Sequence, residues 1–318
     1  MKAALAPGQD VPCGLCGSRR AKVLFERPHR GAVPGQAVFV ATTDEFSDYG
    51  RVVRCQDCGF AYTSPRPEPG ELLRGYGGCV DPDYLREASS RSINAHLSLS
   101  TIKRFASGGR LLEVGCSVGY FLNAARVDFA VAGIEPSAWA CRIAQERFRL
   151  EVRPGSWEDA EGLAPGSFDA VAMIDVLEHL GDPLAALRRA AAWLKPGGVL
   201  YLVTPDIGSL SARLLRRYWW GLRPAHLSYF DRASLSRALA LAGLRPAWEK
   251  SFGRIFTFGY WASRLRHYPA PVHRALTAAI RLLDVEDKFL YLNTRDSLEV
   301  CAVKDAPGPE SAKITAHG

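Results

Sequence analysis

Residues 111–119 read Leu-Leu-Glu-Val-Gly-Cys-Ser-Val-Gly, and an acid, Glu135, follows after a further sixteen positions. The apolar run Leu111–Val114 predicts a strand, and the small residues after it predict a tight turn into a helix over Tyr120–Asp128. A second apolar run, Ala130–Ile134, ends at Glu135. A strand, a glycine turn, a helix and a second strand ending in an acid are typical of nucleotide-binding βαβ units, where the acid binds ribose hydroxyls.

The alternation of strand and helix continues beyond this unit. Further strands are predicted near Glu151–Val152 and at Ala170–Ile174, Val199–Thr204, Arg245–Ser251 and Ser297–Val303. Helix patterns separate most of these strands, as the covering helices of a parallel sheet do. The sequence therefore predicts an α/β fold, a Rossmann-like and mostly parallel seven-stranded sheet with covering helices.

The turn has the pattern E-x-G-x-S-x-G over residues 113–119, which differs from the three-glycine dinucleotide fingerprint. It resembles motif I of the class I S-adenosylmethionine-dependent methyltransferases. Phe168–His179 resembles that family's F-D-x-V-x-x-x-x-V-L-E-H string, and Leu194–Leu200 resembles its L-K-P-G-G turn. Gly155–Glu158 stands where the family places residues beside adenine. The resemblance covers about residues 105–305 and keeps the motifs in order.

The resemblance implies that S-adenosyl-L-methionine is the cofactor and gives roles to the matching residues. Glu113 and the turn would line the methionine end, and Glu135 would hold the ribose hydroxyls. Trp157 would stack on adenine, with a core tryptophan as the alternative. Asp175 would lie near the sulfonium at the carboxyl end of the fourth strand. The predicted cofactor residues are Glu113, Gly115, Cys116, Ser117, Gly119, Tyr120, Glu135, Trp157 and Asp175.

Two histidines are the candidate catalytic residues, because a hydroxyl acceptor benefits from a base that removes its proton. His226 is the predicted base, with helix capping as the alternative, and His179 is either a second acceptor-side group or a structural residue. Asp175, Glu178 and both histidines also resemble the acid and histidine ligands of metal-dependent small-RNA 2′-hydroxyl methyltransferases. A second metal site is therefore left open.

Four of the eight cysteines form two Cys-x-x-Cys pairs, Cys13 with Cys16 and Cys55 with Cys58. Two such pairs in a chain without a disulfide pattern predict structural Zn²⁺ held by four thiolates. A redox pair and plain buried cysteines are the alternatives. We expect the metal to fold a small N-terminal zinc-ribbon-like module over residues 1–80.

The predicted organisation is this module, then a class I methyltransferase domain over 81–305, then a disordered tail over 306–318. Helical insertions on the acceptor side are expected at 205–230 and 255–292. Leu210–Leu222 predicts a basic amphipathic helix, which would be either a lid over the acceptor or a contact with a membrane surface.

The composition predicts a cytoplasmic protein. The chain has 318 residues and a net charge of +7, and no apolar run approaches the ~20 residues that span a bilayer. Nucleic acid is not the expected partner, because the cysteine region lacks a dense basic and aromatic stripe. The sequence leaves the oligomeric state, the acceptor and the methylated atom open.

The predicted function is methylation of a small molecule, at a hydroxyl of a sugar, glycan or lipid-linked glycan. N-terminal cysteine pairs with this motif set resemble glycan and secondary-metabolite methyltransferases. One alternative is a zinc-ribbon RNA methyltransferase, although no Asn/Asp-Pro-Pro-Tyr string is present. A non-catalytic interaction protein is disfavoured by the intact motif. Gly115–Gly119 also fits the G-x-S-x-G hydrolase elbow, but that fold gives Glu135 no role.

Overall fold

The computed structural model describes residues 9–28, 38–42, 49–160, 162–266 and 269–305. Its strands are β1 (Ala21–Phe25), β2 (Val52–Cys55), β3 (Ala61–Thr63), β4 (Gly109–Val114), β5 (Phe129–Glu135), β6 (Val152–Pro154), β7 (Phe168–Ile174), β8 (Leu194–Pro205), β9 (Ser228–Tyr229), β10 (Leu244–Ser251), β11 (Arg254–Thr257), β12 (Phe289–Leu292) and β13 (Ser297–Lys304). Its α-helices are α1 (Pro69–Gly77), α2 (Pro82–Arg86), α3 (Ala88–Ile102), α4 (Tyr120–Ala125), α5 (Ala138–Phe148), α6 (Pro183–Trp193), α7 (Leu210–Leu215), α8 (Arg232–Leu241), α9 (Phe258–Ser263) and α10 (Ala270–Leu282).

The central sheet has seven strands in the order β10-β13-β8-β7-β4-β5-β6. Strands β8, β7, β4, β5 and β6 pair in parallel, whereas β13 runs antiparallel between β8 and β10. This arrangement confirms the predicted fold class. Consecutive side chains along a strand point to opposite faces of the sheet and pack into different cores. Leu111 and Leu112, for example, are both fully buried but belong to different apolar clusters.

The strand order decides where a ligand binds. Strand β4 lies between β5 and β7: the chain passes from β4 to β5 and β6 on one side of β4, and then returns to place β7 on its other side. Ligands of open α/β sheets bind beyond the carboxyl ends of the strands at such a reversal. The turn after β4, Glu135 at the end of β5 and Asp175 after β7 therefore meet at one edge.

A second sheet joins the cysteine region to the rest of the chain. It has the order β1-β2-β3-β9, and its last strand comes from residues 228–229, where Tyr229 pairs with Ala61. Side chains of both regions share one apolar core, in which Phe60 packs against Phe230 with ring centroids 5.1 Å apart. The predicted boundary at residue 80 stays a prediction, since this sheet extends across it.

The helix predicted over Leu210–Leu222 forms only in its first part. Helix α7 ends at Leu215. Arg216, which has a positive φ of 50°, begins a single 3-10 turn over Arg216–Tyr218. This break disrupts the helical spacing, so Trp219 is 1% exposed in the core whereas Leu214 is 72% exposed. The apolar side chains therefore do not form one face, and the membrane contact stays an untested prediction.

The insertion predicted at 255–292 contains α9 and α10, and also the antiparallel pair β11 and β12. The pairing of Ile255 with Tyr291 closes this segment into a flap between β10 and β13. Among the described helices, none has the length and apolar character needed to cross a membrane. The predicted tail at 306–318 lies outside the described residues.

Candidate active site

One cavity of about 900 Å³ opens at the carboxyl edge of the central sheet. Of the predicted cofactor and catalytic residues, all but Gly119 line it: Glu113, Gly115, Cys116, Ser117, Tyr120, Glu135, Trp157, Asp175, His179 and His226. Gly119 does not line the cavity and is the residue immediately before α4. The fold thus brings residues from positions 113 to 226 of the chain into a single space.

The turn after β4 needs glycine for its backbone and for its packing. Gly115 and Gly119 have φ values of 73° and 87°, which favour glycine. A Cβ on Gly115 would come within 2.5 Å of Val176, and one on Gly119 within 2.5 Å of Leu150. The absence of Cβ atoms at these two positions is therefore required by packing. It makes room for these neighbouring protein side chains, which holds the turn close to the sheet.

Glu113 carries an unsatisfied acceptor into the cavity. Its side chain is buried, and its Oε2 has no hydrogen-bond partner among the described residues. Burial, with the nearby charge of Glu135, raises the pKa of Glu113 well above its ordinary value. A buried carboxyl oxygen without a donor is costly. The site therefore fits a ligand that brings an ammonium or hydroxyl group to this oxygen.

Glu135 is held by two backbone amides, one on each carboxylate oxygen. Ser117 N donates to Oε2 and Ser137 N donates to Oε1, both at 2.8 Å. Burial raises the pKa of Glu135, and the two amides oppose that rise. Each oxygen keeps a further lone pair, because a carboxylate accepts at about four positions. Glu135 is thus oriented to accept two hydroxyl donors, as ribose binding requires.

Two aromatic residues border the same end. Tyr120 is buried, stacked on Tyr84 with ring centroids 6.1 Å apart, and Trp157 is half-buried beside the main apolar core. Both also line the cavity. A flat base fits against such rings, while the contacts of Trp157 with the core agree equally with the packing alternative.

The two histidines lie side by side. Their ring centroids are 4.6 Å apart and the rings are nearly perpendicular. His226 is buried, and its Nδ1 lies 2.8 Å from the Gly221 carbonyl, which can only accept. Nδ1 therefore carries the proton, and Nε2 keeps a lone pair. Burial lowers the pKa of His226 well below its ordinary value, with added effects of His179 and Arg223.

His179 is oriented by residues that the sequence did not identify. Its Nδ1 lies 2.7 Å from the hydroxyl of Tyr76 and 3.1 Å from the carbonyl of Ala225. Burial lowers the pKa of His179 to about 4, and it raises the pKa of Tyr76 well above its ordinary value. Both side chains are therefore neutral near pH 7. No motif marks Tyr76, because it belongs to α1, far upstream of the matched segments.

The acids nearby have different partners. Asp175, with a left-handed φ of 54°, accepts a hydrogen bond of 2.6 Å from Arg254 Nη2. Glu178 is buried and accepts from Thr204 Oγ1 at 2.9 Å. Burial, with the charge of Asp175, raises the pKa of Glu178 to about 8. Arg254 was not predicted either, since it lies on β11, outside every recognised motif.

The positions of Glu178, His179 and His226 would allow them to bind one metal ion. Single ligand atoms of Glu178, His179 and His226 lie within 4.8 Å of one another. Asp175, the fourth residue of the predicted set, is engaged by Arg254 instead. The second metal site therefore stays an untested prediction, with three candidate ligands.

The four predicted zinc ligands come together in the N-terminal sheet. The Sγ atoms of Cys13 and Cys58 are 3.4 Å apart, and those of Cys16 and Cys55 are 3.6 Å apart. All four sulfurs lie within 4.8 Å of one another. Four thiolates about 2.3 Å from a tetrahedral Zn²⁺ stand about 3.8 Å apart. The cluster thus has the dimensions of a Cys₄ zinc site, in which protein sulfurs would fill all four coordination positions of the metal.

The central part of the chain matches one known protein family. Residues 84–247 match the family described as "Methyltransferase domain", which is just over half of the chain. The chain belongs to this methyltransferase family. The hydrolase and the non-enzyme alternatives are thereby disfavoured, and the family supports S-adenosylmethionine as the methyl donor.

Curated relatives match a shorter stretch. The ubiquinone biosynthesis O-methyltransferase of Xanthomonas campestris pv. campestris is 40% identical over 103 residues, which is 30% of this chain and 43% of that protein. The enzyme of the same name from Xanthomonas euvesicatoria pv. vesicatoria is 36% identical over 104 residues, 31% of this chain and 44% of that protein. The matched stretch thus spans less than half of the length of these relatives.

Solved structures resemble the same domain. A SAM-dependent methyltransferase from Thermotoga maritima has a TM-score of 0.47 and 21% identity, with 70% of this chain and 95% of that chain covered. The YcgJ protein from Bacillus has a TM-score of 0.47 and 16% identity, with 67% and 100% covered. The strand order and the register given above define the fold of the present chain.

Proposed function

We propose that this methyltransferase transfers a methyl group from S-adenosylmethionine to a hydroxyl oxygen of a small molecule. The observation that carries the proposal is the shared cavity, which Glu113, Glu135 and the neutral His226 all line. The cofactor would supply a methyl group activated by a sulfonium. An oxygen acceptor agrees with the relatives named O-methyltransferases.

The residues divide the work by their chemistry. Glu113 would receive the ammonium group of the methionine part, and Glu135 would receive the ribose hydroxyls. His226 would take the hydroxyl proton at Nε2, because Nδ1 is already committed to Gly221. Tyr76 and Ala225 hold His179 beside it, so the base has a fixed neighbour. The acceptor class that the sequence favours, a sugar, glycan or lipid-linked glycan, is part of this proposal.

The proposal is tested by cofactor binding to Glu135→Gln. An amide keeps one acceptor oxygen and sets an NH₂ group against one of the two backbone amides that Glu135 now binds. We expect the Kd for S-adenosylhomocysteine, measured by calorimetry, to rise about 10–100-fold, as for the loss of a charged hydrogen bond. Glu151→Gln, at an exposed site, is the matched control. Equal affinities in the two variants would contradict the assignment of Glu135.

The pH dependence of turnover gives a further prediction. Because burial lowers the pKa of His226, its neutral form persists below pH 6.5, the ordinary histidine value. The acid limb of kcat/KM is therefore expected below pH 6.5, where protonation removes the lone pair on Nε2. A pH–rate profile with the acceptor limiting measures this limb. A limb at or above pH 6.5 would show that this base is exposed or is another group.

A further inference from the structure

The flap between β10 and β13 forms a mostly apolar wall of the active-site cavity, with Arg254, Tyr260 and Arg264 among its polar members. The whole flap follows residue 247, where the match to the methyltransferase family ends. In β12, Leu290 and Leu292 line the cavity, while the alternate residues Phe289 and Tyr291 are exposed. Phe256 of β11 adds a buried ring to the same wall. The wall thus belongs to this chain's own insertion.

Helix α10 continues this wall toward solvent. Val272, Leu276 and Ile280 are spaced four residues apart and so share one face. Their exposures are 56%, 37% and 5%, and Leu276 and Ile280 line the cavity. At 1.5 Å per residue, the stripe runs about 12 Å along the helix from inside the cavity to the surface. An apolar path therefore leads out of the active site.

We propose that the acceptor carries a linear hydrocarbon chain, which lies against this wall and along the stripe of α10 while its hydroxyl reaches His226. This inference rests on the proposed function. Polar groups placed on such a wall would lose water without gaining hydrogen bonds, whereas each methylene group gains by leaving water. The helix carries no acidic side chain, and the exposure of its apolar stripe increases from Ile280 to Val272. A linear alkyl chain is thus the ligand chemistry that the wall fits.

The experiment measures the binding of n-alkanols from butanol to decanol to the S-adenosylhomocysteine-loaded protein by calorimetry. Each alkanol presents one hydroxyl and a chain of defined length. We expect the Kd to fall about threefold to fourfold for each added methylene, as for a fully buried group. If S-adenosylhomocysteine binds but chain length has no effect, this inference is overturned while the proposed function stands. If S-adenosylhomocysteine itself does not bind, the proposed function is overturned.

Two leucines of α10 give a matched pair of variants. Leu276→Gln places an amide on the wall, and we expect it to weaken decanol binding at least about fivefold. Leu282→Gln makes the same change at a side chain that is 87% exposed and does not line the cavity, so decanol binding should be unchanged. S-adenosylhomocysteine should bind both variants normally, which shows that they are folded. Equal decanol binding by the two variants would overturn the assignment of the wall.

Discussion

His226→Gln is expected to lower kcat by about 10²–10⁴-fold, the range that a positioned general base contributes. Glutamine is of similar length but has no titratable nitrogen at the position of Nε2. The backbone carbonyl of Gly221 can still be satisfied by its amide NH₂ group. Single-turnover rates with saturating cofactor measure the loss, and the Kd for S-adenosylhomocysteine should stay within about twofold of the wild-type value.

The control for this prediction is His96→Gln, because His96 is exposed and lies on α3 outside the cavity. It should leave turnover unchanged. His226→Ala with added imidazole separates catalysis from packing, since imidazole restores a missing base but does not restore a lost structural contact. Unchanged turnover in His226→Gln, or no rescue of His226→Ala, would leave His226 a packing residue and make His179 the next candidate.

Loss of zinc is expected to have the largest effect on stability. We propose Zn²⁺ at the Cys13, Cys16, Cys55 and Cys58 cluster, and structural zinc contributes about 10–16 kcal/mol of apparent binding free energy in small zinc domains. Cys16 is the exposed member, so Cys16→Ser removes a ligand with little loss of packing. We expect this variant to lose about 4–5 kcal/mol. That corresponds to a fall in Tm of about 10 °C for a chain of this size.

Elemental analysis and calorimetry check the zinc prediction together. The purified wild-type protein should carry one zinc per chain, and a strong chelator should lower its Tm at least as much as Cys16→Ser does. Cys79→Ser is the matched control, because Cys79 is half-buried but lies outside the cluster. It should keep the metal. A wild-type protein without stoichiometric zinc would refute the metal site and favour the buried-cysteine alternative.

The sheet β1-β2-β3-β9 predicts that loss of zinc would also affect the active site. Strand β3 pairs with β2 on one side and with β9 on the other, and β9 follows His226 by two residues. The hydroxyl of Thr63 also donates to the His226 carbonyl at 3.0 Å. Unfolding of the cysteine region would therefore disturb the segment that holds the proposed base. The four-cysteine cluster is thus linked to the acceptor side of the site as well as to the N-terminal sheet.

The sequence alone determined the order of the central strands along the chain and the turn after β4, and it singled out Glu113, Glu135 and the four cysteines as candidate site residues. These features follow from local rules. Apolar periodicity marks buried strands, glycine marks left-handed turns, and Cys-x-x-Cys spacing places two sulfurs on one knuckle. Each of these signals is complete within a few consecutive residues.

Only the tertiary structure decided what surrounds those residues. Tyr76 contacts His179 across 103 positions, and Arg254 pairs with Asp175 across 79. Leu210–Leu222 shows the limit of the local rules, because α7 ends before Arg216, which has a positive φ, although the composition favours a longer helix, and Trp219 then enters the core. Contacts between distant side chains depend on how whole elements pack, and no periodicity in a short segment contains that information.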